Sequence, residues 1–331
     1  MEKRLLSKNN LPVSRIGLGL AALGRPGYIN LGHHEDLGLD KSVEALEAQA
    51  HQVIDAAWEA GVRYFDAARS YGQAEVFLAK WLKMRDISPN EINVGSKWGY
   101  RYTAKWQRQA DSHEVKEHTL ENLQRQVKES RGFLGDYLNL YQIHSATEGS
   151  GVLKNEAVLD KLADLKSEGT LIGLTLSGAK QGQSLLKAME IERDGTRLFD
   201  AVQASWNVLE PSAGPSLKAA HDAGLAVIVK EALANGRLTD RNNAQEFGQQ
   251  KALLEQIARE QGSTIDGLAI AAVLAQPWVD VVLSGAAKRE HLHSNLGAVE
   301  IELSADQLEK LKELAEEPED YWNTRSDLKW N

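Results

Sequence analysis

Val-Arg-Tyr-Phe-Asp-Ala-Ala-Arg-Ser-Tyr-Gly, residues 62–72, is the stretch whose reading decides the fold. Its first half alternates β-favouring residues, so Val62 to Phe65 reads as a short buried strand. Asp66 closes that strand, where a charge is costly unless the chain has reached an edge open to water or to a partner. Tyr71 follows in the loop, beside Gly72 and just ahead of a helical run that begins near Ala74. A carboxylate ending a strand and a phenol in the loop after it contribute little to packing. They suit chemistry at the mouth of an α/β barrel.

Working outward, seven further runs share the strand character: Ile16 to Leu20, Ile92 to Gly95, Leu138 to Ile143, Leu171 to Leu176, Ala201 to Ala204, Leu225 to Val229 and Val279 to Leu283. Between them lie segments with helical spacing, including Ala50 to Ala60, Val115 to Leu134, Val158 to Lys166 and Leu253 to Arg259. Strands alternating with helices imply parallel βαβ units, whose strands are buried on both faces and therefore nearly continuously apolar. Eight of them favour a closed (β/α)8 TIM barrel over an open sheet, and residues 1–331 read as a single domain. Asp66, Lys97, His144, Ser177, Lys230 and Ser284 all fall at C-terminal strand ends, the edge where barrel enzymes build their sites. Any one is an ordinary polar strand end; the set is not.

Composition removes several classes. There is no cysteine, so disulfides, thiolate metal sites and cysteine nucleophiles are absent, which fits a cytoplasmic location. A net charge of −9 argues against a general nucleic-acid binder. No apolar stretch suggests a membrane span, and the first ten residues lack the apolar core of a secretory signal. Gly17-Leu18-Gly19-Leu20-Ala21-Ala22 has the form of a dinucleotide fingerprint, but Leu23-Gly24-Arg25-Pro26-Gly27 cannot open the helix which that motif requires. The glycine-rich loop from Gly24 to Lys41 reads as a lid. Its His33, His34, Glu35 and Asp36 are metal-ligand types, yet adjacent residues rarely converge on one ion, and no metal is expected. The tail from Tyr321 to Asn331 is expected to fold back over the barrel mouth.

If Asp66, Tyr71, Lys97 and His144 meet at one mouth, each has a task that its chemistry suits. Tyr71 protonates a carbonyl oxygen while the carbon receives a hydride. A phenol of pKa about 10 needs lowering by two to three units, roughly 3–4 kcal/mol. A cation near 4 Å at an effective dielectric of about 20 supplies around 4 kcal/mol, and Lys97 is that cation. Asp66 holds the ammonium, and His144 orients the carbonyl by donating a hydrogen bond. Taken alone, His144 reads equally well as a core histidine and Lys97 as a solvated strand end.

With these residues in place the chain resembles the aldo-keto reductases. The matching stretches are residues 65–72, 95–99, 140–144, 172–177, 202–207, 232–238 and 284–295, in order from about residue 4 to residue 300. The resemblance implies a (β/α)8 barrel that binds NADPH in extended form, NAD not being excluded, with Asp66, Tyr71, Lys97 and His144 as the catalytic four. It places Gln203 on the nicotinamide carboxamide, with Ser177 taking part of that role. Glu231, Ala232, Leu233, Gly236 and Leu238 fall on the loop around the pyrophosphate, and Lys230, just before them, falls beside the nicotinamide. Ser284, Gly285, Ala286, Lys288, His291 and Asn295 fall on the adenosine-phosphate segment. Tyr28 and Trp98 are expected to border the substrate cleft.

Some positions depart from the family pattern. Lys230 stands where many members stack an aromatic ring, and Lys288 and Arg289 have to replace the usual cations for the 2′-phosphate. Two other readings stay open. One is a Schiff-base lyase or aldolase using Lys97 or Lys230; the other is a non-catalytic barrel that senses nicotinamide. The expected partner is a small carbonyl or alcohol.

Overall fold

A computed structural model describes residues 3–6 and 11–331. Eight parallel strands close into a barrel: β1 (Ile16–Gly19), β2 (Tyr64–Asp66), β3 (Asn93–Trp98), β4 (Leu138–Ala146), β5 (Leu171–Leu176), β6 (Ala201–Ser205), β7 (Ala226–Lys230) and β8 (Val281–Ser284). Consecutive strands pair, and β8 returns to β1. All eight expected strands are present, with ends within three residues of those expected; Asn93–Trp98 and Leu138–Ala146 each run three residues further than read.

The barrel interior explains several glycines. Strand side chains alternate between the barrel axis and the surrounding helices. Tyr64 points inward and is fully buried. A Cβ at Gly17 would sit 2.8 Å from its ring, and one at Gly95 2.5 Å from its hydroxyl. One large residue thus fills the space that two neighbouring strands leave open. Above it, Gly19 pairs with Asp66, Asp66 with Gly95, and Lys97 with Gln142, which stacks polar side chains toward the C-terminal mouth. At the opposite end an antiparallel hairpin of Lys3–Leu6 and Leu11–Ser14 adjoins β3, where the Asn93 amide donates to the Pro12 carbonyl at 2.9 Å.

Helices cover the outside, and their ends follow capping residues. Val43–Glu59 starts after Ser42, whose hydroxyl accepts from the Ala45 amide. Leu120–Leu134 starts after Thr119, whose hydroxyl accepts from the Asn122 amide. The helical reading of Val115 to Leu134 therefore began too early. Glu114–Lys116 is instead a strand paired with Tyr100–Tyr102, a hairpin rising from the end of β3. The Leu20–Ala22 part of the glycine fingerprint forms a turn rather than a helix. Two helices, Gly248–Glu260 and Ile265–Leu274, lie between β7 and β8. Among the described residues no helix is long and apolar enough to cross a membrane.

The tail does cross the mouth. Helix Pro318–Asp327 leads to Asn331, whose backbone exchanges two hydrogen bonds of 3.1 Å with Tyr28. Trp330 stacks on His113 with ring centroids 3.9 Å apart.

Candidate functional site

A channel of about 630 Å³ opens at the C-terminal mouth. One end is walled by Asp66, Tyr71, His144, Tyr28 and Trp330, the other by Asp36, Arg241, His291, Thr264 and Ser294.

At the first end the four strand-end residues meet. Lys97, fully buried, donates through Nζ to Asp66 Oδ2 and, at 3.0 Å, to the Ala67 carbonyl. Its Nζ lies 4.8 Å from the Tyr71 ring centroid. Asp66 Oδ1 faces the amide nitrogens of Gln203 at 3.0 Å and Gln142 at 3.3 Å, and the Tyr64 hydroxyl at 3.4 Å. Gln203 lines the channel, and its Nε2 donates one hydrogen bond to Asp66. The His144 ring stands edge-on to Tyr71 at 5.5 Å, with Nδ1 3.4 Å from the Ser70 hydroxyl.

Burial sets the protonation states here. It raises the Tyr71 phenol well above its ordinary value, and the Asp66 charge pushes the same way against Arg25. The lowering expected from Lys97 does not prevail, since the net shift of the phenol is upward. Tyr71 therefore keeps its proton at neutral pH. Burial, followed by the charges of Lys97, Lys230 and Arg25, drives His144 well below the usual histidine range, so its ring is neutral.

Beside these, Lys230 ends β7 and donates to the Ser205 hydroxyl at 2.7 Å. Burial lowers it to about 8, against the pull of Glu231. Glu231 has a left-handed backbone, φ 56°, a conformation that a residue of this type adopts only when its surroundings enforce it. Its carboxylate is clasped by Arg325 from the C-terminal helix and accepts from Ser205 at 2.6 Å. Burial opposes its charge, but Arg325 and Lys230 hold it far below the usual carboxylate range.

Tyr28 borders the channel, and Ala232, Leu233, Gly236, Ser284, Gly285, Ala286, His291 and Asn295 also line it. Four expectations need correction. Trp98 is fully buried and edge-on to His118 at 5.6 Å, because Lys97 takes the inward position on β3 and its neighbour must face the helices. Leu238 is fully buried in the cluster around Phe247 and Leu254. Ser177 lies beyond the end of β5 and outside the channel lining; Thr175 uses its hydroxyl to cap the Ser145 amide at 2.7 Å. Lys288 is not on the channel wall but reaches Asp36 at 3.3 Å.

Sequence reasoning missed Arg25, Glu114, Asp36 and Arg241. Arg25 lies 5.1 Å from the Tyr71 ring centroid and 4.7 Å from that of Trp330, and donates to Glu114 at 2.9 Å. Asp36 receives both terminal nitrogens of Arg241, at 2.8 and 2.5 Å. These pairs join segments 89 and 205 residues apart, and no local pattern announces them.

A sequence profile of the aldo/keto reductase family matches residues 15–316. An aldo-keto reductase of the fungus Strobilurus tenacellus, str7, is 26% identical over 93% of this chain and 90% of its own length. An NADH-specific methylglyoxal reductase of Escherichia coli K12 is 27% identical over 96% of this chain and 99% of its own. The holo structure of aldo-keto reductase AKR11C1 from Bacillus halodurans superposes with a TM-score of 0.72 at 23% identity, covering 96% of this chain and 97% of the other, a likeness of fold.

Proposed function

The chain belongs to the aldo/keto reductase family, oxidoreductases acting on carbonyls with nicotinamide cofactors, and from that premise we propose that it interconverts a small aldehyde or ketone and its alcohol, with Tyr71 as proton donor. The observation that carries this reading is the meeting of Asp66, Tyr71, Lys97 and His144 at one end of a long channel. The residues present fit a dinucleotide. The channel has a catalytic end and a distant end rich in cations and hydroxyls, and helix Arg289–Gly297 begins there with no side-chain cap on its amides.

When bound, the nicotinamide supplies a hydride to the carbonyl carbon. Tyr71, protonated at neutral pH, gives its proton to the carbonyl oxygen. Lys97 stands beside the ring to stabilise the phenolate that forms, and Asp66 fixes that ammonium in place. The neutral His144 ring donates a hydrogen bond to the same oxygen and orients it. Gln203 and Gln142 hold Asp66 from the side away from Lys97. Arg241, Lys288 and His291 gather on Asp36 at the distant end, which would receive the adenosine half of a nicotinamide dinucleotide.

Tyr28, Trp330 and Arg25 border the catalytic end, an aromatic pocket with one buried cation. Together with the methylglyoxal reductase among the relatives, this makes small 2-oxoaldehydes the first substrates to try. The test is a carbonyl panel, methylglyoxal first, with NADH and NADPH, following loss of reduced-nucleotide absorbance. Turnover of at least one carbonyl is expected. Tight nucleotide binding with no carbonyl consumed would move the reading to the non-catalytic nicotinamide-binding barrel.

A further inference from the structure

The cations at the far end of the channel already hold an anion. Asp36 closes the short helix His33–Asp36 in the loop that crosses the channel, and its side chain is 2% exposed. Arg241 donates to both of its carboxylate oxygens, Lys288 Nζ stands 3.3 Å away, and His291 Nδ1 3.8 Å. The group is also fixed from behind. Gln49, on helix Val43–Glu59, donates its amide both to the Asp36 carbonyl at 2.9 Å and to the Ala287 carbonyl at 2.7 Å. That bridge locks Asp36 to the loop after β8, so the carboxylate is part of the wall. A second tie, the Leu31 amide to the Asn235 carbonyl at 3.1 Å, holds the same loop across the channel.

We infer that Asp36 selects NADH over NADPH, by filling the place among Arg241, Lys288 and His291 that a 2′-phosphate would need. A phosphate monoester carries nearly two negative charges, and bringing it to this cluster sets it against a fixed carboxylate a few ångströms away. A ribose 2′-hydroxyl meets no such penalty and can donate to the same carboxylate. Burial works against charge on Asp36, but the hydrogen bonds and charges of Arg241, His291 and Lys288 prevail and keep it ionised. The three cations thus stabilise the loop and its carboxylate, not a bound phosphate. This rests on the channel being the nucleotide site.

The test is tryptophan-fluorescence titration of the wild type and of Asp36→Asn with NADH and with NADPH. Asparagine keeps the shape and an oxygen for Arg241, and circular dichroism checks its fold. The wild type is expected to bind NADH about tenfold or more tighter than NADPH. In Asp36→Asn, NADPH binding is expected to tighten about tenfold while NADH changes by less than about threefold, a shift in the ratio that loss of a purely structural anchor would not produce. Wild-type binding of NADPH as tight as NADH overturns the inference, even if the variant fails to fold. So does a folded variant with an unchanged ratio. Binding of neither nucleotide by the wild type overturns the reductase reading as well, and so separates the two failures.

Discussion

The two ends of the channel handle buried charge in opposite ways. At the catalytic end one cation meets one anion inside the barrel: Lys97 and Asp66 sit on adjacent strands, and their neighbours Tyr71 and His144 are kept uncharged by burial. At the far end one anion, Asp36, faces three basic side chains, Arg241 from one segment and Lys288 and His291 from another. The first arrangement is set by strand register and stores reactive groups in defined protonation states. The second depends on how a surface loop lies across the mouth. Under the proposed function, chemistry is built into the strands and cofactor selectivity into the segment over them.

The hardest way to break this contrast is at Lys97. Lys97→Met leaves Asp66 buried without its ammonium, and removing one partner of a buried pair costs about 3–5 kcal/mol. Chemical denaturation should show that loss, and residual turnover should fall about 10²–10⁴-fold. A variant that lost activity while keeping full stability would mean the pair is not the internal support described here.

An acid titration sharpens the comparison. His33 is lowered to about 3 and His118 to about 4, both first by burial, and His144 lies well below its ordinary value for the same reason. Below the unfolded value of about 6.5 the unfolded chain binds these protons and the folded chain does not. Stability therefore rises with pH across the window from about 4 to 6.5, by up to about 1.4 kcal/mol per pH unit for each such histidine. The melting temperature should fall steadily from pH 7 to pH 4. His118→Gln and His33→Gln should each make the fall shallower. A flat profile would show that these rings are hydrated.

The smallest effect is expected at Ser177. Because it stands outside the channel lining, Ser177→Ala should leave nucleotide affinity within about twofold of wild type by fluorescence titration. A larger loss would restore it to the cofactor site.

How much could be read in advance follows the same division. The barrel and the catalytic four were legible because parallel strands are apolar runs of fixed period, and a polar residue at the end of one stands out against them. Alternation along a strand also limits the reading: Lys97 and Trp98 are adjacent, so only one of them faces the barrel axis, and family resemblance did not say which. Leu238 and Ser177 lie in loops beyond the strand ends, where sequence spacing does not tell which side chains face the channel. The Asp36 cluster was unreadable for another reason. His33 to Asp36 looked like four clustered ligand types, whereas the fold sends His33 into the interior and Asp36 to Arg241. The hairpin of Tyr100–Tyr102 and Glu114–Lys116 was hidden because Val115 fits the helical spacing that continues after Thr119.

The central claim is that Tyr71 delivers the proton, and the most direct measurement is kcat and nucleotide affinity of Tyr71→Phe side by side. The phenylalanine keeps the ring against Lys97 and His144 and removes only the hydroxyl. The expected result is nucleotide binding within about threefold of wild type with kcat reduced about 10²–10⁴-fold. A kcat near the wild-type value with the same bound nucleotide would contradict the account, because the proton would then come from another group.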